Sequence, residues 1–283
     1  MLMDYYELTM SNGYFEKGFK DKMVVFDMFY RKNPDNGGFV VSAGLEQLIE
    51  YIENMHFSKE DIEFLRSKGE FSEGFLQYLA DFKFTGNIDA LPEGTICYPN
   101  TPIVTVTAPV IEAQLIETML LLTMNFQSLI ATKASRICRT AAESGAVVME
   151  FGARRAHGGD AAILGARAAY IGGAAATATV MADERFGVPA IGTMAHSWIQ
   201  FFDNEYEAFK AYAEVYPDNC TLLIDTYDIL NSGLVNAIRV AKEVLEPAGK
   251  RLKGVRIDSG DLAYFSKKIR KTCLLYTSPS PRD

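Results

Sequence analysis

The sequence predicts an α/β protein, with an N-terminal α+β region followed by strand–helix units of the parallel-sheet kind. Three features point to it: residues 1–107 mix strand and helix periodicities, residues 112–144 contain neither Gly nor Pro, and after Gly145 short apolar runs alternate with helical patterns. At 283 residues, 48% hydrophobic and 23% charged, the chain carries enough apolar material for one large core or two smaller ones.

In order along the chain, residues 24–30 and 39–42 read as strands. A helix follows whose Leu45, Leu48, Ile49 and Ile52 form one apolar stripe. Ser58 and Asp61 make a capping pair ahead of Ile62, Phe64 and Leu65, and Pro102 opens a short alternating strand over residues 103–107. Residues 112–144, rich in Ala, Leu, Met and Thr, predict one or two helices. Apolar runs at 146–149, 190–191, 221–224 and 254–257 then alternate with helical patterns, one with Tyr206, Phe209, Ala213 and Tyr216 on a face, another with Leu234, Ile238, Ala241 and Leu245. Residues 272–283 show neither helical periodicity nor a strand, and read as an artefactual tail outside the fold.

A formal net charge of −8 gives no basic footprint for nucleic acid or an anionic membrane surface, so small molecules and other proteins are the expected partners. Cys97, Cys138, Cys220 and Cys273 lie far apart with no Cys-x-x-Cys pair, which argues against a disulfide framework and a structural zinc site and fits a reducing cytoplasm. His56 and His157 have no Cys, Asp or Glu at metal-ligand spacing, so no metal ligand set is expected. Asp4 and Glu7 stand where a signal peptide would need a basic start, and the longest uncharged stretch, residues 118–132, falls short of the ~20 apolar residues of a membrane span.

In parallel α/β sheets and barrels, reactive side chains gather at the carboxyl ends of strands. Here those ends carry Glu150, Phe151, Arg154 and Arg155; Thr193, His196 and Ser197; Asp225, Thr226, Tyr227 and Asp228; and Arg256, Asp258, Ser259 and Asp261. Arginines, a histidine, carboxylates and an aromatic facing one cavity would suit a planar anion bearing phosphate, because the guanidinium fork matches carboxylate and phosphate bidentately. Taken alone, His196 fits a structural hydrogen-bonding role as well as a catalytic one; nearby Asp225 and Asp258 would favour catalysis. Asp225 and Asp228 equally suit helix caps or Asx turns, and Asp258 suits turn chemistry. Arg256, between Val255 and Ile257, needs a partner for its charge. The glycine pairs 158–159 and 172–173 could admit a phosphate to the backbone, yet neither matches a known phosphate loop.

Five ordered motifs carry a resemblance: Asp4-Tyr5-Tyr6-Glu7-Leu8-Thr9-Met10, Phe151 to Ala156, Gly192 to Ser197, Ile224 to Asp228, and Val255 to Asp261. Together they resemble nicotinate phosphoribosyltransferases, relatives of the nicotinamide and quinolinate enzymes. The resemblance implies an N-terminal α+β domain over residues 1–110 and an irregular, incomplete (β/α) TIM-like barrel of the type II phosphoribosyltransferase kind over residues 111–271. It further implies a homodimer with shared active sites, and phosphoribosyl transfer from phosphoribosyl diphosphate to nicotinate, coupled to ATP with Mg2+. By resemblance His196 is the residue phosphorylated by ATP and Asp225 and Asp258 flank it. Phe151 stacks on the pyridine ring, Tyr6 of a partner subunit covers the other face, Arg256 and Thr193 hold the nicotinate carboxylate, and Arg154 holds the product phosphate. Ala178 stands where nicotinamide-using relatives have an aspartate, which favours nicotinate. Quinolinate, with its second carboxylate, ranks third. The chain stops before the family's phosphate-binding loops, so as written it is expected to be inactive, and the alternative to the enzyme reading is an inactive fragment or an interaction module of this family.

Overall fold

In the computed structural model, which describes residues 1–277, the chain forms two compact units that divide after Ile191. The first opens with α1 (Tyr5–Glu16), then β1 (Met23–Met28), β2 (Val40–Val41), α2 (Leu45–Asn54), α3 (Lys59–Ser67), α4 (Glu73–Ala80), β3 (Asn87–Ala90), β4 (Ile96–Cys97) and β5 (Val104–Pro109). Strand β5 is the centre of an antiparallel three-stranded sheet in the order β1-β5-β3, while β2 pairs with β4. The alternation expected near Pro102 is present: Val104, Val106 and Ala108 are buried and the residues between them half-buried. Ser58 caps α3 as anticipated, accepting from Asp61 N at 3.1 Å while Asp61 accepts from Ser58 N. One expectation fails on α2: Leu48 is buried, but Ile49 is 46% exposed, because the core lies against Leu45, Leu48 and Ile52.

Near residue 110 the sheet gives way to helix, with α5 (Val110–Leu115) starting where β5 ends and α6 (Glu117–Glu143) following. The glycine-free stretch is therefore two helices. Three short stretches of parallel backbone come next. Strand β6 (Met149–Glu150) leads through α7 (Gly159–Ile171) to β7 (Ala176–Thr177), and α8 (Val180–Phe186) leads on to Ala190, which bridges Thr177 in parallel. The first of these starts later than the apolar run at 146–149 suggested, since Val147 is 68% exposed. The run at 190–191 contributes only the bridge, and β7 lies where no apolar run marked a strand. Of the glycine pairs, Gly172 has a packing role: a Cβ there would lie 2.4 Å from Ala131 O, so its absence lets α7 approach α6.

The second unit begins at Gly192 and holds α9 (His196–Phe201), α10 (Glu205–Val215), β8 (Thr221–Leu223), α11 (Leu234–Val240), β9 (Gly254–Arg256) and α12 (Leu262–Thr277). Wider helical turns, Ile229–Gly233 and Ala241–Leu245, flank α11. Its core joins Ile199, Phe209, Leu222, Leu223, Ile224, Leu234, Ala237, Val240 and Leu245, all essentially removed from water; each of these apart from Ala237 contributes about 1.5–3 kcal/mol. Strands β8 and β9 pair in parallel, with Leu223 opposite Arg256. Helix α12 continues past Lys271 to Thr277, so the break expected at Thr272 is absent through Thr277; residues 278–283 of that segment lie outside the described residues. The expected mixed α/β class is what the two units show. Among the described residues, no helix is long and apolar enough to cross a membrane.

Candidate active site

Five of the eight residues singled out from sequence come together in the second unit, beyond the carboxyl ends of β8 and β9. Parallel pairing continues one step past the strands through Ile224 N to Arg256 O at 3.1 Å, which delivers Asp225 and Asp258 side by side. Buried Asp225 accepts from Asp258 N at 3.0 Å and from Ser259 Oγ at 2.6 Å, both through Oδ2. Its partners thus lie just beyond the neighbouring strand, and neither the cap nor the Asx turn open to it from sequence is what it forms. Asp225 Oδ1 is buried and has no hydrogen-bond partner among the described residues.

Arg256 finds the partners its charge required. Nη2 donates to Asp258 Oδ1 at 2.9 Å, and Nη1 donates to Thr193 Oγ1 at 3.1 Å and to Met194 O at 3.3 Å. Asp258 Oδ2 in turn lies 3.8 Å from His196 Nε2, too long for a hydrogen bond but close enough for its charge to be felt. On the other side of the imidazole, Nδ1 is 3.1 Å from Thr226 Oγ1. The side chains of His196, Asp258 and Arg256 are 40%, 35% and 25% exposed, so a solute can reach all three.

Backbone geometry fixes this cluster. Asp228 takes the capping role, accepting from Leu230 N and Asn231 N at 3.0 and 2.8 Å. Gly233 has no side chain because Ile224 O is against it: a Cβ would lie 2.0 Å away. Asp261 closes the start of α12 by accepting from Tyr264 N at 2.9 Å. Gly260, at φ +80°, makes the turn between site and helix. Sequence reasoning placed Ser259 and Thr226 at the strand ends without giving either a site role. Both stood inside the strand-end motifs, and hydroxyls offered no reason to prefer them over the neighbouring carboxylates.

The other three residues belong to the first unit. Phe151 leaves the end of β6, 39% exposed; Ala178 leaves the same end of the paired strand, because the register sets Glu150 opposite Thr177. Glu150 secures this end, accepting from Gly152 N through Oε1 and from Thr177 Oγ1 at 2.7 Å through Oε2. Arg154 is exposed in the tight turn Ala153–Arg155. Tyr6, on α1 and 44% exposed, donates to Glu117 Oε1 at 2.8 Å, and that bond pushes its hydroxyl pKa up to about 12.

The family models and the curated relatives agree on one family. Residues 1–125 match the nicotinate phosphoribosyltransferase (NAPRTase) N-terminal domain and residues 146–274 the nicotinate phosphoribosyltransferase (NAPRTase) family. The chain is 48% identical over 270 residues to the nicotinate phosphoribosyltransferase of Bacillus subtilis (strain 168), covering 95% of this chain and 54% of that protein. It also resembles the crystal structure of human nicotinic acid phosphoribosyltransferase, with TM-score 0.89 and 30% identity over 99% of this chain and 66% of that one. The nicotinate-nucleotide pyrophosphorylase of Pyrococcus furiosus matches with TM-score 0.77 and 25% identity, over 98% of this chain and 62% of that one. The chain spans about half the length of the curated relatives it matches.

Proposed function

The chain belongs to the nicotinate phosphoribosyltransferase family, and from that premise we propose that the protein transfers a phosphoribosyl group from phosphoribosyl diphosphate to nicotinate, coupled to ATP hydrolysis. The cluster of Arg256, Asp258, His196 and Thr193 at the ends of two parallel strands is the observation that supports this most directly. In the transfer, the pyridine nitrogen forms a bond to the anomeric carbon as the bond to diphosphate breaks. Catalysis of such a displacement rests on positioning and on stabilising the departing charge. Arg256, already braced by Thr193 and Asp258, is suited to hold the nicotinate carboxylate. Phe151 offers a ring face, Tyr6 of a partner subunit the other, and Arg154 a cation for the product phosphate.

Coupling is assigned to His196. A ring nitrogen attacks the γ-phosphorus of ATP, ADP leaves, and the phosphohistidine later returns phosphate to water. Asp258 supports the imidazole and Asp225 holds Asp258 in place. Magnesium would arrive with the diphosphate and nucleotide. Among the described residues no group of three or more His, Cys, Asp or Glu could hold a metal ion, whereas Asp225 Oδ1 and Asp258 offer two carboxylates to a cation that brings phosphate oxygens with it. A cytoplasmic homodimer is part of the same reading; Tyr6 and Met10, one turn apart on α1, are both exposed, and the domain limits 1–110 and 111–271 are kept with it.

The test uses the full-length protein. His196→Ala is expected to abolish ADP release per nicotinate mononucleotide formed while leaving slow, ATP-independent transfer; an unchanged ATP stoichiometry would refute the assigned role. Substrate choice is tested at the end of β7: Ala178→Asp should weaken nicotinate by about tenfold or more through repulsion between carboxylates. Equal use of nicotinate by the variant would remove Ala178 from the specificity argument.

A further inference from the structure

Thr226 holds His196 from the side opposite Asp258. Its Oγ1 lies 3.1 Å from Nδ1, and Asp258 Oδ2 lies 3.8 Å from Nε2. A neutral imidazole carries one proton, on one nitrogen or the other. With the proton on Nδ1, Thr226 would accept and the lone pair of Nε2 would face a carboxylate that Arg256 keeps oriented toward it. With the proton on Nε2, an N–H faces that carboxylate and the Thr226 hydroxyl donates to the lone pair of Nδ1. The second arrangement turns an N–H rather than a lone pair toward the carboxylate charge and gives the Thr226 hydroxyl an acceptor. Only the nitrogen without the proton can attack phosphorus, so this tautomer makes Nδ1 the nucleophile, oriented by the Thr226 hydroxyl until that hydroxyl turns away and frees the lone pair.

We propose that Thr226 is a positioning residue for His196: its hydroxyl donates to Nδ1, holds the ring edge-on between Thr226 and Asp258, and selects the tautomer with its proton on Nε2. Several constraints keep Thr226 where this needs it. It follows Asp225, which is tied to Asp258 N and Ser259 Oγ, and it precedes the Asp228 cap by two residues. Its hydroxyl is therefore presented from a segment fixed at both ends. The relevance to catalysis, though not the hydrogen bond, rests on His196 being the phosphate-accepting residue.

The chain has only three histidines, His56, His157 and His196, so nitrogen-15 labelling of histidine gives a readable spectrum, and His196→Ala assigns the third pair of ring signals. At a pH where the ring is neutral, the wild-type protein should show a protonated Nε2 and an unprotonated, hydrogen-bonded Nδ1 for His196. Thr226→Val, equal in shape but without the hydroxyl, should move the His196 signals toward a mixture of tautomers, and Thr226→Ser should restore them. In turnover Thr226→Val should lower kcat for ATP-coupled transfer about tenfold with little change in KM for nicotinate, and Thr226→Ser should recover most of it. Unchanged His196 ring signals in Thr226→Val would overturn the proposal. So would a serine variant that folds like wild type yet restores neither the signals nor kcat. If the signals move as stated while His196→Ala keeps normal ATP stoichiometry, tautomer control stands and the phosphohistidine reading falls.

Discussion

Two arginines, one in each unit, are held by carboxylates in opposite ways. Arg167 on α7 is buried in the first unit, where it meets Glu46, donates to Glu93 at 2.9 and 2.6 Å, and reaches Gln127 at 3.2 Å. Glu93 also accepts from Gly44 N and Leu45 N, so the same node caps α2. Arg256 in the second unit meets Asp258, Thr193 Oγ1 and Met194 O, and keeps a quarter of its side chain open to solvent. A guanidinium surrounded on every side joins elements together. One held at a strand end with a quarter of its side chain in solvent stays within reach of an anion, which is what the proposed role requires.

The largest expected effect tests the closed node. Arg167→Met leaves the half-buried Glu93 without its cation and should destabilise the first unit by about 3 kcal/mol in denaturant unfolding; a loss under about 1 kcal/mol would mean the node joins nothing. Its pH dependence sharpens the point. Burial alone would raise the Glu93 carboxyl, but the Arg167 guanidinium and the Gly44 N–H hold it below its ordinary value. A carboxyl lowered on folding contributes stability fully above its unfolded pKa of about 4.3, and that contribution fades as pH falls through the folded value. The gap between wild type and Arg167→Met should therefore narrow in acid below about pH 4.

Next in size, Gly233→Ala drives a methyl into Ile224 O and should cost about 1–3 kcal/mol. Because Ile224 precedes Asp225, nicotinate binding measured by calorimetry should weaken as well. Asp228→Ala removes only a cap, about 1 kcal/mol by thermal unfolding, with binding retained. The smallest change in stability belongs to Arg256→Met, under about 1 kcal/mol for a partly exposed pair, yet it should weaken nicotinate by about tenfold or more. A reversal of this order between Arg167 and Arg256 would break the contrast drawn between them.

The candidate site was legible because its residues stand at strand ends that apolar runs marked in the sequence. Thr221 to Leu223 and Gly254 to Arg256 form strands close to where those runs lie, and their register brings Asp225 and Asp258 together. The first unit was less legible. Strand β7 is two residues in an alanine- and threonine-rich stretch, and α1 is a helix whose buried face includes Glu7 and Ser11, so neither presents the apolar periodicity that identifies an element. Glu7 is buried because Thr118, far along the chain, supplies it with two donors. Arg167 lies inside an ordinary helical pattern, and nothing local separates it from a surface arginine.

By itself the sequence determined the α/β class, the caps at Ser58 and the strand-end chemistry, because periodicity, capping and short polar motifs act between residues near in the chain. Only tertiary structure decided which aspartate is a cap and which is an organiser. Asp228 and Asp225 are the same side chain three residues apart, and what separates them is that the segment following β9 lays Asp258 N and Ser259 Oγ beside Asp225, more than thirty residues distant. The pairing of His196 with Thr226 and the closed node at Arg167 have the same origin: hydrogen-bond partners far apart in sequence are chosen by packing, which local pattern does not encode.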